Sequence, residues 1–474
     1  MKTALRSLLG WLCCLVLGLN VSLAQPTDVG RVNAEELDAY GGYKGIRLKQ
    51  TGFFHVEKTD KRHWLVTPDG HAFLSNGINH VEPKWMRKFY NADYWARKYD
   101  VVDYTDKGFS RAFQEKVEKD VRYFGWNTLG CHSPVGFYDK KILPYVQTIR
   151  FVSIHHYTDH TDRDFPDVFS ERFHVYADSL ASAVAAPLKN DRYLLGYFMV
   201  DCPILTERDA AAHGLNIYGQ VRRASPTWPN VIRNLAGNTP GKRAYVEHVK
   251  ERYKNDIHSF NKIYSTKFSA FSELLDTANW RPKTDLGNEA EHRDNHEFLL
   301  KILDRRYAVE TAAIKKHDPN HLILGDKLNG NTDTPADILA VAARYVDVLF
   351  IQHYAQWDEL EAYLNKVARA TQKPIMQGDA SIHVPYENMP NPYGPHAANQ
   401  QERIQNVREL FLNAFSRPDV VGWHWCGWMD SWEVGGQAGK QHGGVQDPFG
   451  NFHPVSTFLA EFSKKMYAIA QQKE

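Results

Sequence analysis

The sequence predicts an α/β fold: a single (β/α)8 TIM barrel with an N-terminal extension and a long insertion after the fourth barrel strand. Three observations carry this expectation. Short apolar segments alternate with amphipathic, helix-period segments along most of the 474 residues, a pattern that favours a parallel sheet with crossover helices. The apolar segments can be counted to eight, the repeat number of the barrel. No internal repeat, low-complexity tract or charge block interrupts the alternation.

The first barrel strand is expected at 72–81, AFLSNGINHV, and the helix-period stretch FSRAFQEKVEKDVRYFG follows it. The second and third, WNTLGCHS (126–133) and VQTIRFVS (146–153), are short, and FHVYADSLASAVAAPLKN supplies the next helix. The fourth, LLGYFMVD (194–201), opens onto a connection far longer than an ordinary βα unit. That insertion, 204–320, holds an irregular part and then a helical subregion, AYVEHVKERYKNDIHSFNKIYSTKF. Strands five to eight are read at 321–328, 346–355, 373–380 and 420–428. WDELEAYLNKVARAT, QERIQNVRELFLNAF and STFLAEFSKKMYAIAQ are the remaining helices, the last closing the barrel. The whole barrel region is 71–474.

Residues 25–70 form the extension, in which TGFFHVEKTDKRHWLVTPDG reads as a hairpin capping the lower end of the barrel. Residues 1–24 have basic Lys2 and Arg6, an apolar run and Ser-Leu-Ala before Gln25. This is the pattern of a cleavable signal peptide cut after Ala24, and it predicts a secreted or periplasmic protein. The apolar run is short for a membrane span. With 57 basic and 56 acidic residues, nothing in the charge balance attracts nucleic acid or an anionic membrane surface. The high aromatic content, 12 Trp and 24 Tyr, suits a large core and equally suits surfaces that stack on sugar rings. Beyond the leader only Cys131, Cys202 and Cys426 remain, too few for a disulfide framework.

In this fold the active site lies at the C-terminal ends of the strands. Those ends carry Asn79, His80 and Glu82; Cys131 and His132; His155 and His156; Asp201 and Cys202; Asp326; Gln352, His353 and Tyr354; Asp379; and Trp423, His424, Trp425, Cys426 and Trp428. Asp201 and Asp379 end the fourth and seventh strands, which face each other across a barrel mouth. Glycoside cleavage needs two carboxyl groups so placed, one to protonate the leaving oxygen and one to attack the anomeric carbon or activate water. His80, His132, Cys202, His353, Tyr354, Trp423, His424 and Trp428 are the expected sugar-contacting shell.

At HWLVTPDGHAFLSNGINHVEP, FGWNTLGCHSP, DFPDVFSERF, LLGYFMVD, VLFIQHYA, KPIMQGDAS and VVGWHWCGWMDSW, the chain resembles the clan A glycoside hydrolases, and within them the β-agarase family numbered fifty and its relatives. The resemblance extends over most of the chain. It implies a retaining β-glycosidase acting on a galactose-containing, agarose-like polysaccharide or its oligosaccharides. In that clan the fourth strand ends in Asn-Glu, the Glu being the acid/base; here those positions are Asp201 and Cys202. The seventh-strand nucleophile is a Glu after Gly; here Asp379 follows Gly378. Tyr354 matches the strand-six Tyr that hydrogen-bonds the nucleophile.

Asp379 is therefore the expected nucleophile or base. Asp201 is the expected acid, since a carboxyl in a partly dry cleft can be tuned to that role. Glu207 in the following loop, or Glu82 after the first strand, could supply the proton instead. If acid catalysis is absent, the protein binds glycan without cleaving it. A zinc-dependent hydrolase, built on the thiols and neighbouring histidines, is the further alternative. No cofactor and no resident metal are expected, and the expected partner is a carbohydrate.

Overall fold

The computed structural model describes residues 31–133, 136, 141–154, 165–206, 214–215, 221–222, 227–276, 288–434 and 443–472. Four antiparallel strands come first: β1 (Tyr43–Arg47), β2 (His55–Lys58), β3 (His63–Val66) and β4 (His71–Phe73), in the order β1-β4-β3-β2. Eight parallel strands then close a barrel. They are β5 (Ser75–Ile78), β6 (Thr128–Leu129), β7 (Tyr145–Thr148), β8 (Leu194–Asp201), β11 (Leu322–Asn329), β12 (Leu349–Gln352), β13 (Ile375–Ala380) and β14 (Val420–Trp425). Each falls within or against a segment expected from the sequence, including the short second and third strands. A two-residue antiparallel pair, β9 (Gly214–Leu215) and β10 (Val221–Arg222), lies in the insertion.

The helices follow from sequence periodicity and caps. α1 is Ala92–Lys98 and α2 is Lys107–Phe124. In α2, Phe109, Phe113, Val117, Val121 and Phe124 are buried, one stripe at three- and four-residue spacing. Asp106 caps its first turn, and Gly125, at φ +65°, ends it in the left-handed conformation that glycine adopts without strain. α3 (Glu171–Val184) buries Phe173, Ala177 and Ala181 behind a Ser170 cap. The insertion contributes α4 (Trp228–Arg233), α5 (Pro240–Arg252), α6 (Ile257–Tyr264) and the 29-residue α7 (Glu289–His317). α8 (Ala336–Ala343), α9 (Trp357–Thr371) and α10 (Gln400–Ser416) complete the ring, closed by α11 (Val455–Ser463) and α12 (Met466–Gln471). The closing helix expected as one element is thus two. Seven of the eight barrel strands lead into a described helix; the β6–β7 connection lies partly outside the described residues.

The barrel interior is a packed core. Leu195, Phe198, Leu322, Leu324, Val348, Phe350, Met376 and Val421 fill it, and Leu65 and Phe73 of the N-terminal sheet, with Tyr40 and Phe54 beside its strands, join the same cluster. That sheet therefore plugs the lower end, where burial of each large apolar side chain contributes on the order of 1.5–3 kcal/mol. Buried Arg62 fixes the plug by donating to the carbonyls of Phe415, Arg417, Val420 and Ala470. The lower end is sealed, so the open mouth at the strand C-termini is where chemistry can occur.

Candidate active site

The mouth is organised around an ammonium that the sequence reading passed over. Lys327 on β11 is fully buried, and its Nζ lies 2.8 Å from Asp201 Oδ1 and 3.0 Å from Asp379 Oδ2. The facing oxygens of the two carboxylates are therefore no more than about 6 Å apart, within the span of a two-carboxylate glycosidase site. Asp379 also accepts from Asn79 Nδ2 at 2.8 Å, and Asn79 is pinned by its second bond to the Gly378 carbonyl. Burial opposes ionisation of Asp379, yet Lys327 and His80 outweigh it and hold the carboxyl well below the usual range. Burial likewise opposes the charge on Lys327, and the two carboxylates hold its pKa well above the ordinary value.

β11 shows why Lys327 was missed. Leu322 and Leu324 point into the barrel, so strict alternation would send Asp326 inward. The pairing of β11 with β8 instead shifts register on both sides of Gly325, which has φ +71°. A shift of one residue exchanges the faces. Asp326 consequently turns out toward α7, where Arg306 grips it with two bonds of 2.7 and 2.8 Å and Tyr307 donates at 2.7 Å. Lys327 turns in.

Two stacked imidazoles form the adjoining wall. The His80 and His132 rings lie 4.5 Å apart at 19°. His132 Nε2 is 3.1 Å from Asp201 Oδ2, and His80 reaches toward Asp379 Oδ2 at 3.9 Å and Glu82 Oε1 at 3.8 Å. Burial would lower the His80 pKa, but the neighbouring Asp379 and Glu82 carboxylates raise it above the ordinary value. For His132, burial and the neighbouring His80 charge prevail over Asp201, and the pKa is lowered. His80, His132 and Cys202, each at or just beyond a strand end, have φ values of +56°, +61° and +46°. Such strain costs on the order of 1–3 kcal/mol per residue and gathers where geometry is set for function. The backbone holds it with His80 N donating to Cys131 O and Cys202 N to Lys327 O.

The other expected residues divide. The Cys426 thiol lies beside both Asp379 and Tyr354, so Tyr354 belongs to the surroundings of Asp379. His424 is fully buried one layer below, bonded to Ser75 Oγ at 2.8 Å. Burial drives its pKa down to about 3, so it stays neutral. Cys202 is fully buried and its thiol pKa is raised by burial, which leaves it no surface for sugar.

Besides Cys202 and His424, three residues expected to contact sugar are turned away from the mouth. His353 faces outward, edge-on to Tyr363 of α9 at 4.9 Å. Trp423 packs on Phe411 of α10 at 5.0 Å. Trp428 is buried against α2, edge-on to Phe113 and donating to Asp120 at 2.9 Å. Glu207, together with His155 and His156, lies outside the described residues, as does the segment 1–24. Glu82 is near the mouth, but it pairs with Lys84 at 2.6 Å and, despite burial, His80 and Lys84 hold its pKa down. An ammonium at 2.8 Å also favours the carboxylate form of Asp201, which runs against Asp201 donating a proton itself.

His80, Asp379 and Cys426 offer ligand atoms within 4.8 Å of one another. Lys327 already supplies a cation 3.0 Å from the Asp379 carboxylate, and that charge opposes a divalent ion at this point.

No family model matches the chain. It is homologous to β-agarase B of Vibrio sp. (strain JT0107), 25% identical over 459 residues, covering 83% of this chain and 46% of the relative. β-Agarase A of the same strain is 22% identical over 437 residues, covering 80% and 42% respectively. The chain thus spans less than half the length of these relatives. Among solved structures, an exo-β-agarase superposes with a TM-score of 0.71 at 18% identity, covering 94% of this chain and 69% of the other. A second agarase gives 0.70 at 18%, covering 93% and 68%. These likenesses show the shared barrel fold.

Proposed function

We propose that this homologue of the β-agarases is an exported glycoside hydrolase that cleaves β-linked, galactose-type glycans of the agarose kind. The observation that carries the reading is the convergence of Asp201 and Asp379, from the fourth and seventh barrel strands, on one buried ammonium at 2.8 and 3.0 Å. Asp379 is the nucleophile. Lys327 and Asn79 keep it ionised and aimed, so the attacking carboxylate is available at any working pH. Asp201 serves the proton-donating side of the site. Among the described residues no helix is long and apolar enough to cross a membrane, which is compatible with export directed by the segment 1–24.

The Asp379→Asn variant tests this assignment. Release of reducing ends from agarose and agarose-derived oligosaccharides should fall by at least about a thousandfold, with circular dichroism unchanged. Turnover surviving at more than a tenth of wild type would refute the assignment. A second reading, glycan binding without cleavage, is favoured by one observation: Lys327 stabilises the charged form of both facing carboxylates. It predicts retardation on an agarose affinity gel and no product from the wild-type protein.

A further inference from the structure

The acid/base carboxyl expected after the fourth strand is replaced by Cys202, a fully buried thiol whose pKa burial raises. Asp201 is clamped at 2.8 Å by an ammonium. Neither group is suited to give a proton to a departing sugar oxygen. A third group stands at the same strand end. His132 follows β6, its side chain is about one-third exposed toward the mouth, and its Nε2 lies 3.1 Å from Asp201 Oδ2. That bond commits one ring nitrogen to the carboxylate and leaves Nδ1 for a ligand.

We propose that His132 is the acid/base catalyst of this site, with Asp201 as the positioning residue that orients its ring. The proposal rests on the hydrolase reading above and specifies how its proton moves. Three further features support it. Lys327 bonds Asp201 on the side away from the imidazole, fixing the carboxylate as Oδ1 to lysine and Oδ2 to histidine. The left-handed backbone of His132, φ +61°, is held although a non-glycine residue resists it. The groups facing the ring are His80, stacked at 4.5 Å, Asp201 and Lys327. Burial, His80 and Lys327 make the imidazolium more acidic, and Asp201 keeps it protonatable, which suits a proton that must leave and return near working pH.

The steps balance. Asp379 gives an electron pair to the anomeric carbon as the carbon–oxygen bond to the leaving sugar breaks, and that oxygen takes the Nδ1 proton of His132. A glycosyl ester on Asp379 and a neutral imidazole remain. Water then attacks the anomeric carbon, His132 Nδ1 takes its proton, and Asp379 leaves as carboxylate. One glycosidic bond and one water are consumed, and both residues return to their starting forms.

The test compares two probes, an agarose-derived oligosaccharide with a poor leaving group and 2,4-dinitrophenyl β-D-galactoside, whose leaving group needs no proton. His132→Asn is the first variant because asparagine tolerates the left-handed backbone. Its kcat/KM should fall about 100-fold or more on the oligosaccharide and stay within about fivefold of wild type on the aryl galactoside, whose kcat alone should drop because hydrolysis of the glycosyl ester still needs the His132 base. His132→Gly, equally compatible with φ +61°, should regain oligosaccharide cleavage when imidazole is added. Asp201→Asn should move the basic limb of the oligosaccharide pH profile downward, because the imidazolium loses the carboxylate that favours it. Equal losses of kcat/KM on both probes with no imidazole rescue would overturn the proposal, as would undiminished oligosaccharide cleavage by His132→Asn. If wild type cleaves neither probe, the hydrolase reading itself fails, and the dyad fails with it.

Discussion

Replacing Lys327 with methionine isolates the electrostatics of the site from any question of substrate. Methionine keeps a long apolar stem and removes the charge. What remains is a buried and a part-buried carboxyl group whose facing oxygens were 2.8 and 3.0 Å from the lost ammonium and so are under about 6 Å apart. At an effective dielectric of about 20, two unit charges at that distance repel by about 3 kcal/mol, equivalent to roughly two pKa units. One carboxyl of the pair should then titrate above the usual range instead of below it. In wild type, the depressed Asp379 pKa contributes stability that is present above the unfolded carboxyl value of about 4 and fades as pH falls through the lower folded value. In Lys327→Met the relation reverses. The raised pKa makes the fold lose stability as pH climbs above the unfolded carboxyl value of about 4. The deficit against wild type should therefore be about 3–5 kcal/mol near neutral pH, typical of breaking a buried pair from one side. It should shrink by roughly 2–3 kcal/mol at about pH 4.5. Urea unfolding at both pH values, with unchanged m, measures it. An equal deficit at the two pH values, or a loss below about 1 kcal/mol at neutrality, would refute the picture of a lysine holding two charged carboxylates together.

Two other perturbations probe the surroundings. A Cβ at Gly130 would fall 1.9 Å from Asn79 Oδ1 and 2.8 Å from His424 Nδ1. Gly130→Ala should therefore displace the asparagine that aims Asp379, lowering kcat on agarose-derived oligosaccharides by about 100-fold and stability by about 1–3 kcal/mol; wild-type values for both would contradict the packing. Glu310 is fully buried beside Arg306, whose charge is already matched by the two-pronged bond to Asp326. Burial lifts its pKa to about 7 against the pull of Arg306. The unfolded chain ionises this group from about pH 4.5, before the native state does, so wild type should lose roughly 3 kcal/mol between there and pH 7. Glu310→Gln should lack that slope and gain on wild type across the interval. Parallel stability–pH curves for the two proteins would show that Glu310 titrates normally.

The position of the mouth was legible before the structure because it depends on strand order and strand ends. The segments ending in Asp201 and Asp379 read as fourth and seventh strands, and a closed eight-stranded parallel barrel brings those ends to one rim. Regular alternation carries further where it is unbroken. On β12, Phe350 faces the lumen, so Gln352 and Tyr354 follow it inward and His353 must point out, a distinction available from the sequence but not drawn from it. On β14 alternation misleads. The register with β13 shifts between Val420 and Gly422, so Val421 and His424 point inward while Trp423 packs outside on α10. Residues 423 and 428 thus became core aromatics, although their composition suited sugar stacking.

The amino-acid sequence by itself determined the fold class, the eight strand positions and the placing of Asp201 and Asp379 at the fourth and seventh strand ends. These depend on local periodicity and on residue type at known offsets. Tertiary structure alone decided which neighbour on each strand faces the mouth. One-residue bulges, such as that at Gly325, exchange inward and outward faces without changing composition. For that reason Lys327, and not Asp326, lies between the two carboxylates, and Asp201 meets His132, 69 residues away in the chain.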